Sequence, residues 1–322
     1  MTRRRLLVLL KPFDMYPGGG RGGKGAPSST HAFSRFANPQ IVHHLDNRRK
    51  VHQDAVKFCQ NILRRKSVDW ETMFRTGLSQ PIRHFDLVVT VGGDGTLLQA
   101  SHFIDDSIPV LGVNSDPTQL EEVQEFSNDF DATRSTGYLC AATVKNFEQV
   151  IDDILADRRM PSTLSRISLS VNSQLLLTYA LNDLLIAHPC PATISRFSFK
   201  IVKNVESHSP LVSCRSSGMR VSTAAGSTAA MHSAGGFAMP IMSKDLQYMV
   251  REPISPRAVV SGLMHGLVKS DESMEVKWFS EKGVIYVDGF HVFHSIEYGD
   301  TINLSSKAPV LKVFLPCYML PV

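Results

Sequence analysis

The amino-terminal half of the chain alternates short apolar runs with segments of helical spacing. Residues 5–10 form an apolar run that stops at Lys11-Pro12, which predicts a buried strand. In residues 46–66 apolar positions recur three or four residues apart, which predicts a helix with one buried face. The glycine- and serine-rich stretch between them, Pro17 to Ser29, predicts a loop.

A strand–turn–helix–strand unit follows. Residues 85–91 and 108–113 predict strands, residues 92–96 predict a glycine-rich turn, and residues 97–104 predict a helix. Two strands joined through a helix usually lie parallel, so this half should contain a parallel sheet. A further helix is predicted at residues 144–156, where apolar positions again have helical spacing.

After Pro161 the pattern changes to short runs typical of strands, with Asp-Gly and Gly-Asp turns among them. These runs are residues 196–201, 275–279, 284–287, 292–296, 301–304 and 310–314. We therefore predict an α/β amino-terminal domain with a Rossmann-like parallel sheet, plus a β-rich carboxyl-terminal domain. The predicted boundaries are 1–161 for the first domain and 162–308 for the second, with segment 309–322 returning to the first domain.

Composition narrows the function classes. The 322 residues are 43% hydrophobic and 20% charged, which is typical of globular domains. A net charge of +4 favours small polyanionic ligands such as nucleotides and predicts no nucleic-acid partner. Apolar runs fall short of the roughly 18 residues that span a membrane, so no membrane association is predicted. The five cysteines have no metal-ligand spacing and predict reduced thiols.

The strongest local signal is Gly92-Gly93-Asp94-Gly95-Thr96, between a buried strand and a helix. Glycines let the backbone approach a ligand closely, and the N–H groups at the start of a helix suit phosphate oxygens. A carboxylate there could orient Mg²⁺ or accept the proton of an attacking hydroxyl. It could equally cap the helix, and spacing alone does not choose among these roles.

Two further segments carry a family resemblance. One is Ala180-Leu-Asn-Asp-Leu-Leu-Ile186, and the other is Ser222-Thr-Ala-Ala-Gly-Ser-Thr-Ala-Ala230 followed by Ser233-Ala-Gly-Gly236. With the glycine-rich turn, and in this order, they resemble the NAD kinase family, which is related to diacylglycerol kinases and phosphofructokinases. The resemblance covers roughly residues 85–305. Residues 224–231 are most similar to the plant NADH kinase branch of that family.

The resemblance implies ATP-dependent phosphorylation of the adenosine-ribose 2′-hydroxyl of NADH, and less well of NAD, to NADPH or NADP. It implies ATP with Mg²⁺ or another divalent cation, and a homodimer. Asp94 would be the catalytic base, and Asn182 and Asp183 would hold the dinucleotide. The residues expected to face the phosphates are Gly92, Gly93, Gly95 and Thr96, and those expected to line the adenosine pocket are Thr223, Gly226, Ser227, Thr228 and Ala229. The metal ligands are not indicated.

The chain also departs from the family pattern. Ala230 stands where the family has a tyrosine that can stack on a base, and Ser217 stands where it has an acidic residue. As an isolated pair, Asn182-Asp183 could simply form a turn after a strand. Two other functions therefore stay open, a non-catalytic NAD(H)-binding sensor and a lipid or sugar kinase that shares the GGDGT turn. The absence of a clear targeting signal predicts a cytoplasmic location, with a peroxisomal one possible for the plant branch.

Overall fold

The computed structural model describes residues 3–13, 39–203, 207–254 and 262–320, so the loop predicted at Pro17–Ser29 lies outside the described residues. The chain divides into two compact units, Met1–Ser162 with Val313–Val322, and Thr163–Lys312. In the described residues the α-helices are α1 (Pro39–Arg64), α2 (Asp94–Ser101), α3 (Leu120–Glu125), α4 (Phe147–Leu155) and α5 (Ala230–Ser233). None of these helices is long and apolar enough to cross a membrane.

The strands of the described residues are, in chain order, β1 (Arg5–Leu10), β2 (Asp69–Phe74), β3 (Leu87–Gly92), β4 (Val110–Asn114), β5 (Ala142–Thr143), β6 (Ser162–Leu164), β7 (Ser168–Val171), β8 (Gln174–Leu175), β9 (Asp183–Ala187), β10 (Ser195–Val202), β11 (Val212–Ser216), β12 (Met219–Ser222), β13 (Leu246–Val250), β14 (His265–Val268), β15 (Ser273–Trp278), β16 (Lys282–Val287), β17 (Val292–Glu297), β18 (Thr301–Ser305) and β19 (Leu311–Phe314).

The first unit is built around a seven-stranded sheet in the order β2-β1-β3-β4-β19-β6, with β5 paired to β4. Strands β2, β1, β3, β4 and β19 pair in parallel. Every residue of β3 and all but the first of β1 are buried, as expected for parallel strands covered on both faces. Apolar side chains of α1 and α4 form one core with one face of these strands. The predicted parallel sheet is confirmed.

In the first unit, helix boundaries and several short elements, among them strand β2, differ from the sequence prediction. Helix α1 begins at Pro39 rather than at residue 46. Helix α2 begins at Asp94, so the last three residues of the predicted turn form the first helical turn. Strand β2 was not predicted, because its residues are mostly exposed and its apolar and polar positions do not alternate. Its backbone pairs along its whole length with β1, and tertiary pairing therefore creates the strand.

The second unit consists of antiparallel strands in two six-stranded sheets. Their orders are β11-β10-β15-β18-β7-β8 and β14-β13-β12-β9-β16-β17. Buried side chains from both sheets form a single core, in which the rings of Phe197 and Trp278 stack at 6.1 Å. The predicted β-rich carboxyl-terminal domain is confirmed. Strand β12 was not predicted, because its four residues, Met219–Ser222, contain only two apolar positions.

Candidate functional site

The predicted phosphate-binding turn lies at the carboxyl edge of the parallel sheet. From β1 the chain moves outward to β2, and then crosses to β3 on the opposite side of β1. The direction of strand addition therefore reverses between β1 and β3. In open α/β sheets, ligands bind outside the carboxyl ends of the strands at such a reversal. The turn that begins at Gly92, where β3 ends, is at this position.

Close packing explains the first two glycines of the turn. A Cβ on Gly92 would lie 2.2 Å from Thr96 Oγ1, and one on Gly93 would lie 2.3 Å from Ser135 Oγ. Neither position has room for a side chain. Gly95 is exposed, whereas Thr96 is buried and its N–H donates to the Gly93 carbonyl at 2.9 Å. Gly92 and Gly93 therefore place no side chain beside the backbone at the start of α2, and such a side chain would hinder the close approach of a phosphate.

Asp94 does not cap α2. The N-cap residue is Gly93, and no side-chain capping hydrogen bond forms, so the capping role considered from the sequence is wrong. The half-buried carboxylate instead accepts the Tyr138 N–H on Oδ2 at 2.8 Å and the Leu139 N–H on Oδ1 at 2.9 Å. The Cys140 thiol also donates to Oδ1, at 3.6 Å.

These three donors leave acceptor capacity on Asp94. An ionised carboxylate offers about four lone-pair sites, so one site on Oδ2 stays available for a hydroxyl. Burial, followed by the charge of Asp94, raises the pKa of the Cys140 thiol, which therefore remains a donor. The arrangement orients the carboxylate of Asp94, which can accept one further hydrogen bond.

Sequence reasoning missed the segment that holds Asp94. The available signal was Gly137, which has a φ of +65° and packs against Asn114. Asn114 ends β4, and its Nδ2 donates to the Ser135 carbonyl at 3.1 Å. A single glycine in a polar loop predicts a turn but gives no information on which distant side chain the turn contacts.

In the second unit, the Asn182–Asp183 pair lies at the start of a strand. Asp183 is the first residue of β9, whereas Asn182 lies in the bend that precedes this strand. The Asp288 carboxylate accepts the N–H groups of Leu181, Asn182 and Asp183 at 2.8, 2.7 and 2.9 Å. The sequence identified Asp288 only as part of an Asp-Gly turn. The buried carboxylate of Asp183 forms an ion pair with Arg220 of β12.

The glycine-rich segment that begins at Ser222 packs directly on this pair. A Cβ on Gly226 would lie 2.1 Å from the carbonyl oxygen of Asn182, so the two backbones are in contact. Thr223 is fully buried, and its hydroxyl donates to the Leu181 carbonyl and accepts the Gly226 N–H at 3.2 Å. The structure thus brings the second and third sequence motifs together.

The remaining predicted pocket residues differ in exposure. Ser227 is fully buried, donates to the Ala224 carbonyl at 2.7 Å and accepts the Met239 N–H at 2.8 Å. Thr228 is partly exposed and Ala229 is exposed. The hydroxyls of Thr223 and Ser227 therefore stabilise the loop, while Thr228 and Ala229 are accessible to a ligand.

The two departures from the family pattern have different surroundings. Ala230 is exposed at the start of α5. The Ser217 hydroxyl donates to the carboxylate of Glu252, so an acidic group lies one hydrogen bond away from the position where the family has one. Among the described residues, no group of three or more His, Cys, Asp or Glu side chains could hold a metal ion.

Comparisons with known proteins agree with the motifs. A family model described as the ATP-NAD kinase N-terminal domain matches residues 35–118. The NADH kinase of Arabidopsis thaliana is 60% identical over 316 residues, which cover 98% of this chain and 96% of that protein. The probable NADH kinase of Oryza sativa subsp. japonica is 55% identical over 317 residues, which cover 98% of each.

A solved structure shares the fold. Yeast NADH kinase complexed with NADH matches with a TM-score of 0.65 at 14% identity, covering 98% of this chain and 84% of that chain. At this identity the likeness concerns the fold alone.

Proposed function

Because this chain belongs to the NAD kinase family, we propose that it transfers the γ-phosphoryl group of ATP to the adenosine-ribose 2′-hydroxyl of NADH. NAD is a slower substrate, and the products are NADPH and NADP. The observation that carries this proposal is the identity of 55–60% with plant NADH kinases over 98% of the chain.

Asp94 acts as the base in this reaction. As the 2′-oxygen forms a bond to the γ-phosphorus, the bond from that phosphorus to the β-phosphate oxygen breaks and ADP leaves. The proton of the 2′-hydroxyl goes to the carboxylate of Asp94, whose Oδ2 accepts one backbone N–H, from Tyr138, among the described residues. The backbone of Gly92, Gly93 and Gly95, with Thr96, faces the transferred phosphates. Catalysis of this kind depends on positioning and electrostatic stabilisation.

Magnesium, or another divalent cation, enters with ATP as part of the substrate. The described residues contain no ready-made cluster of metal-binding side chains. Mg²⁺ bound to a nucleotide usually takes most ligands from phosphate and water, with one or two carboxylates from the protein. Asp94 supplies a carboxylate at the predicted phosphate-binding turn, because it begins helix α2.

The dinucleotide is held in the second unit by Asn182, Asp183 and the loop with Thr223, Gly226 and Ser227. The exposure of Thr228 and Ala229 supports a ligand surface at the end of that loop. The preference for NADH over NAD is supported by the similarity to the plant NADH kinases. We further propose a homodimer, testable by light scattering after gel filtration, and a cytoplasmic location with the peroxisome as the alternative, testable with a fluorescent fusion.

The deciding experiment measures ATP-dependent formation of NADPH and NADP by the purified protein with Mg²⁺, with NADH and NAD compared side by side. Faster product from NADH is expected. Faster product from NAD would retain the reaction but contradict the substrate preference. Binding of NADH without any product would instead indicate a sensor, and failure to bind any nicotinamide nucleotide would indicate a lipid or sugar kinase.

A further inference from the structure

Lys11 follows β1 directly and lies beside the glycine turn. Its backbone N–H donates to the Val91 carbonyl at 3.0 Å, which joins the end of β1 to the end of β3. A Cβ built on Gly92 would lie 3.2 Å from the Cβ of Lys11 and 2.2 Å from Thr96 of α2. The half-buried side chain of Lys11 therefore leaves the sheet at the reversal point, on the face where α2 begins.

Arg75 reaches the same helix from the other side. It follows β2 in a single 3-10 turn, Arg75–Gly77, and is only 8% exposed. Its Nη1 would lie 3.6 Å from a Cβ on Gly95, in the first turn of α2. Gln99 of α2 donates to the Arg75 carbonyl at 3.2 Å, which fixes this turn against the helix. Two cationic side chains from neighbouring strands thus flank the predicted phosphate-binding turn.

The buried side chain of His52 connects the backbone of Lys11 to the glycine turn. The Nε2–H of His52 donates to the Lys11 carbonyl at 2.9 Å, and its Nδ1 accepts the Ser115 hydroxyl at 2.7 Å. The Ser115 N–H in turn donates to the Gly92 carbonyl at 2.8 Å. His52 of α1 and Ser115, the residue after β4, therefore fix the backbone positions of Lys11 and Gly92 relative to each other.

The electrostatic surroundings of Lys11 are predominantly positive. The pKa of Lys11 is lowered to about 8, chiefly by burial and also by Arg48 and Arg75, whereas Asp116 raises it. The Asp116 carboxylate is bound by Arg48 at 3.0 Å and by Arg134 at 2.6 Å. Burial likewise lowers the pKa of Arg75. Partly desolvated cations close to one another destabilise the charged state, and a bound polyanion relieves that cost.

We propose that Lys11 and Arg75 bind the β- and γ-phosphates of ATP at the glycine turn. This inference rests on the proposed function and adds two residues to that site. As the bond from the γ-phosphorus to the β-phosphate oxygen breaks, negative charge accumulates on the oxygens of the departing ADP. The Lys11 ammonium group stabilises that charge, while Arg75 orients the γ-phosphate for attack by the 2′-oxygen. No proton leaves Lys11 or Arg75 during the reaction.

The test compares Lys11→Met and Arg75→Met with Lys57→Met, a matched loss of charge at a lysine of α1 whose side chain is 72% exposed. Lys11→Met and Arg75→Met should each lower kcat/KM for ATP by about 10- to 100-fold, the scale of one lost charge-assisted hydrogen bond. The KM for NADH should change by less than about twofold, because neither residue is proposed to contact NADH. General damage to the fold would instead change the kinetic parameters for both substrates.

The pH profile separates a phosphate ligand from a structural residue. Because Lys11 binds phosphate only when protonated, kcat/KM for ATP in the wild type should fall as the pH rises above about 8. Lys11→Arg should retain activity and lose that decline, since a guanidinium stays protonated throughout this range. If Lys11→Met does not fold, the pH profile of Lys11→Arg still tests whether Lys11 binds phosphate.

Calorimetric titration with Mg·ATP distinguishes failure of this inference from failure of the proposed function. If the wild type phosphorylates no nicotinamide nucleotide, the proposed function is wrong. ATP affinity lost in Lys11→Met and retained in Lys57→Met would still support the phosphate role. Unchanged ATP affinity and unchanged kcat/KM in both Lys11→Met and Arg75→Met would overturn the inference, and so would a Lys11→Arg profile with the wild-type decline.

Discussion

Replacing Asp94 by asparagine tests both the proposed chemistry and the contacts that orient the carboxylate. In the wild type the two carboxylate oxygens each accept a backbone N–H, from Tyr138 at 2.8 Å and from Leu139 at 2.9 Å. An asparagine has only one carbonyl oxygen, so it can accept one of these two donors. Its Nδ2 amide group must then face the other backbone N–H, and because both groups are donors no hydrogen bond can form between them.

The structural cost follows from these contacts. Losing a hydrogen bond to a charged group costs about 1.5–3 kcal/mol, and leaving a buried donor unsatisfied costs about 1–3 kcal/mol. Because Asp94 is half-buried, water can reach the orphaned group and the lower part of this range applies. We expect the free energy of unfolding to fall by about 2 kcal/mol and the Tm to fall by roughly 4–8 °C.

The catalytic cost should be larger. Loss of a group that accepts a proton in the transition state usually lowers turnover by about a hundredfold or more. The assay is ATP-dependent NADPH formation from NADH, measured well below the Tm of the variant so that the folded fraction is constant. Cys140→Ala is the matched control, because it removes the third donor at 3.6 Å and leaves the carboxylate with both backbone hydrogen bonds. Its turnover should stay within about tenfold of the wild type.

Two results would refute the reasoning. Turnover of Asp94→Asn close to that of the wild type would remove Asp94 from the mechanism. An unchanged Tm would show that the carboxylate does not hold the backbone at Tyr138 and Leu139.

Three further predictions concern the two units separately. Arg220→Met leaves the carboxylate of Asp183, which is 9% exposed, without its cation, and should lower the free energy of unfolding in urea by about 3–5 kcal/mol. Gly226→Ala places a Cβ 2.1 Å from the Asn182 carbonyl oxygen and should weaken NADH binding, measured by NADH fluorescence, at least tenfold. His52 is buried and its pKa is lowered from 6.5, chiefly by burial, so thermal unfolding should show stability complete above pH 6.5 and declining as the pH falls below it.

Each of these predictions has a control. The double variant Arg220→Met with Asp183→Asn should recover most of the lost stability, and no recovery would contradict the ion-pair explanation. Gly262→Ala should leave NADH binding intact, since no atom of the described residues lies within 4 Å of its Cβ position. In His52→Gln the decline in Tm below pH 6.5 should be smaller than in the wild type, and an equal decline would assign it to other groups.

The fold class could be predicted because burial leaves a local signal. Residues of β1 and β3 are covered on both faces, so they read as continuous apolar runs. Helix α4 buries one face, which gives helical spacing. Strand β2 was not predicted for the opposite reason. It lies at the edge of the sheet with mostly exposed residues that do not alternate between apolar and polar, and its pairing with β1 makes it a strand.

The sequence by itself predicted which segments would bind a phosphate and a dinucleotide, because three motifs in order, the glycine-rich turn among them, resemble the NAD kinase family. Only the tertiary structure decided what surrounds them. The donors to Asp94 come from Tyr138 and Leu139, more than forty residues away, and the cations beside the turn come from the ends of β1 and β2. Such partners are selected by strand order, and strand order depends on pairings between distant segments that no local pattern encodes.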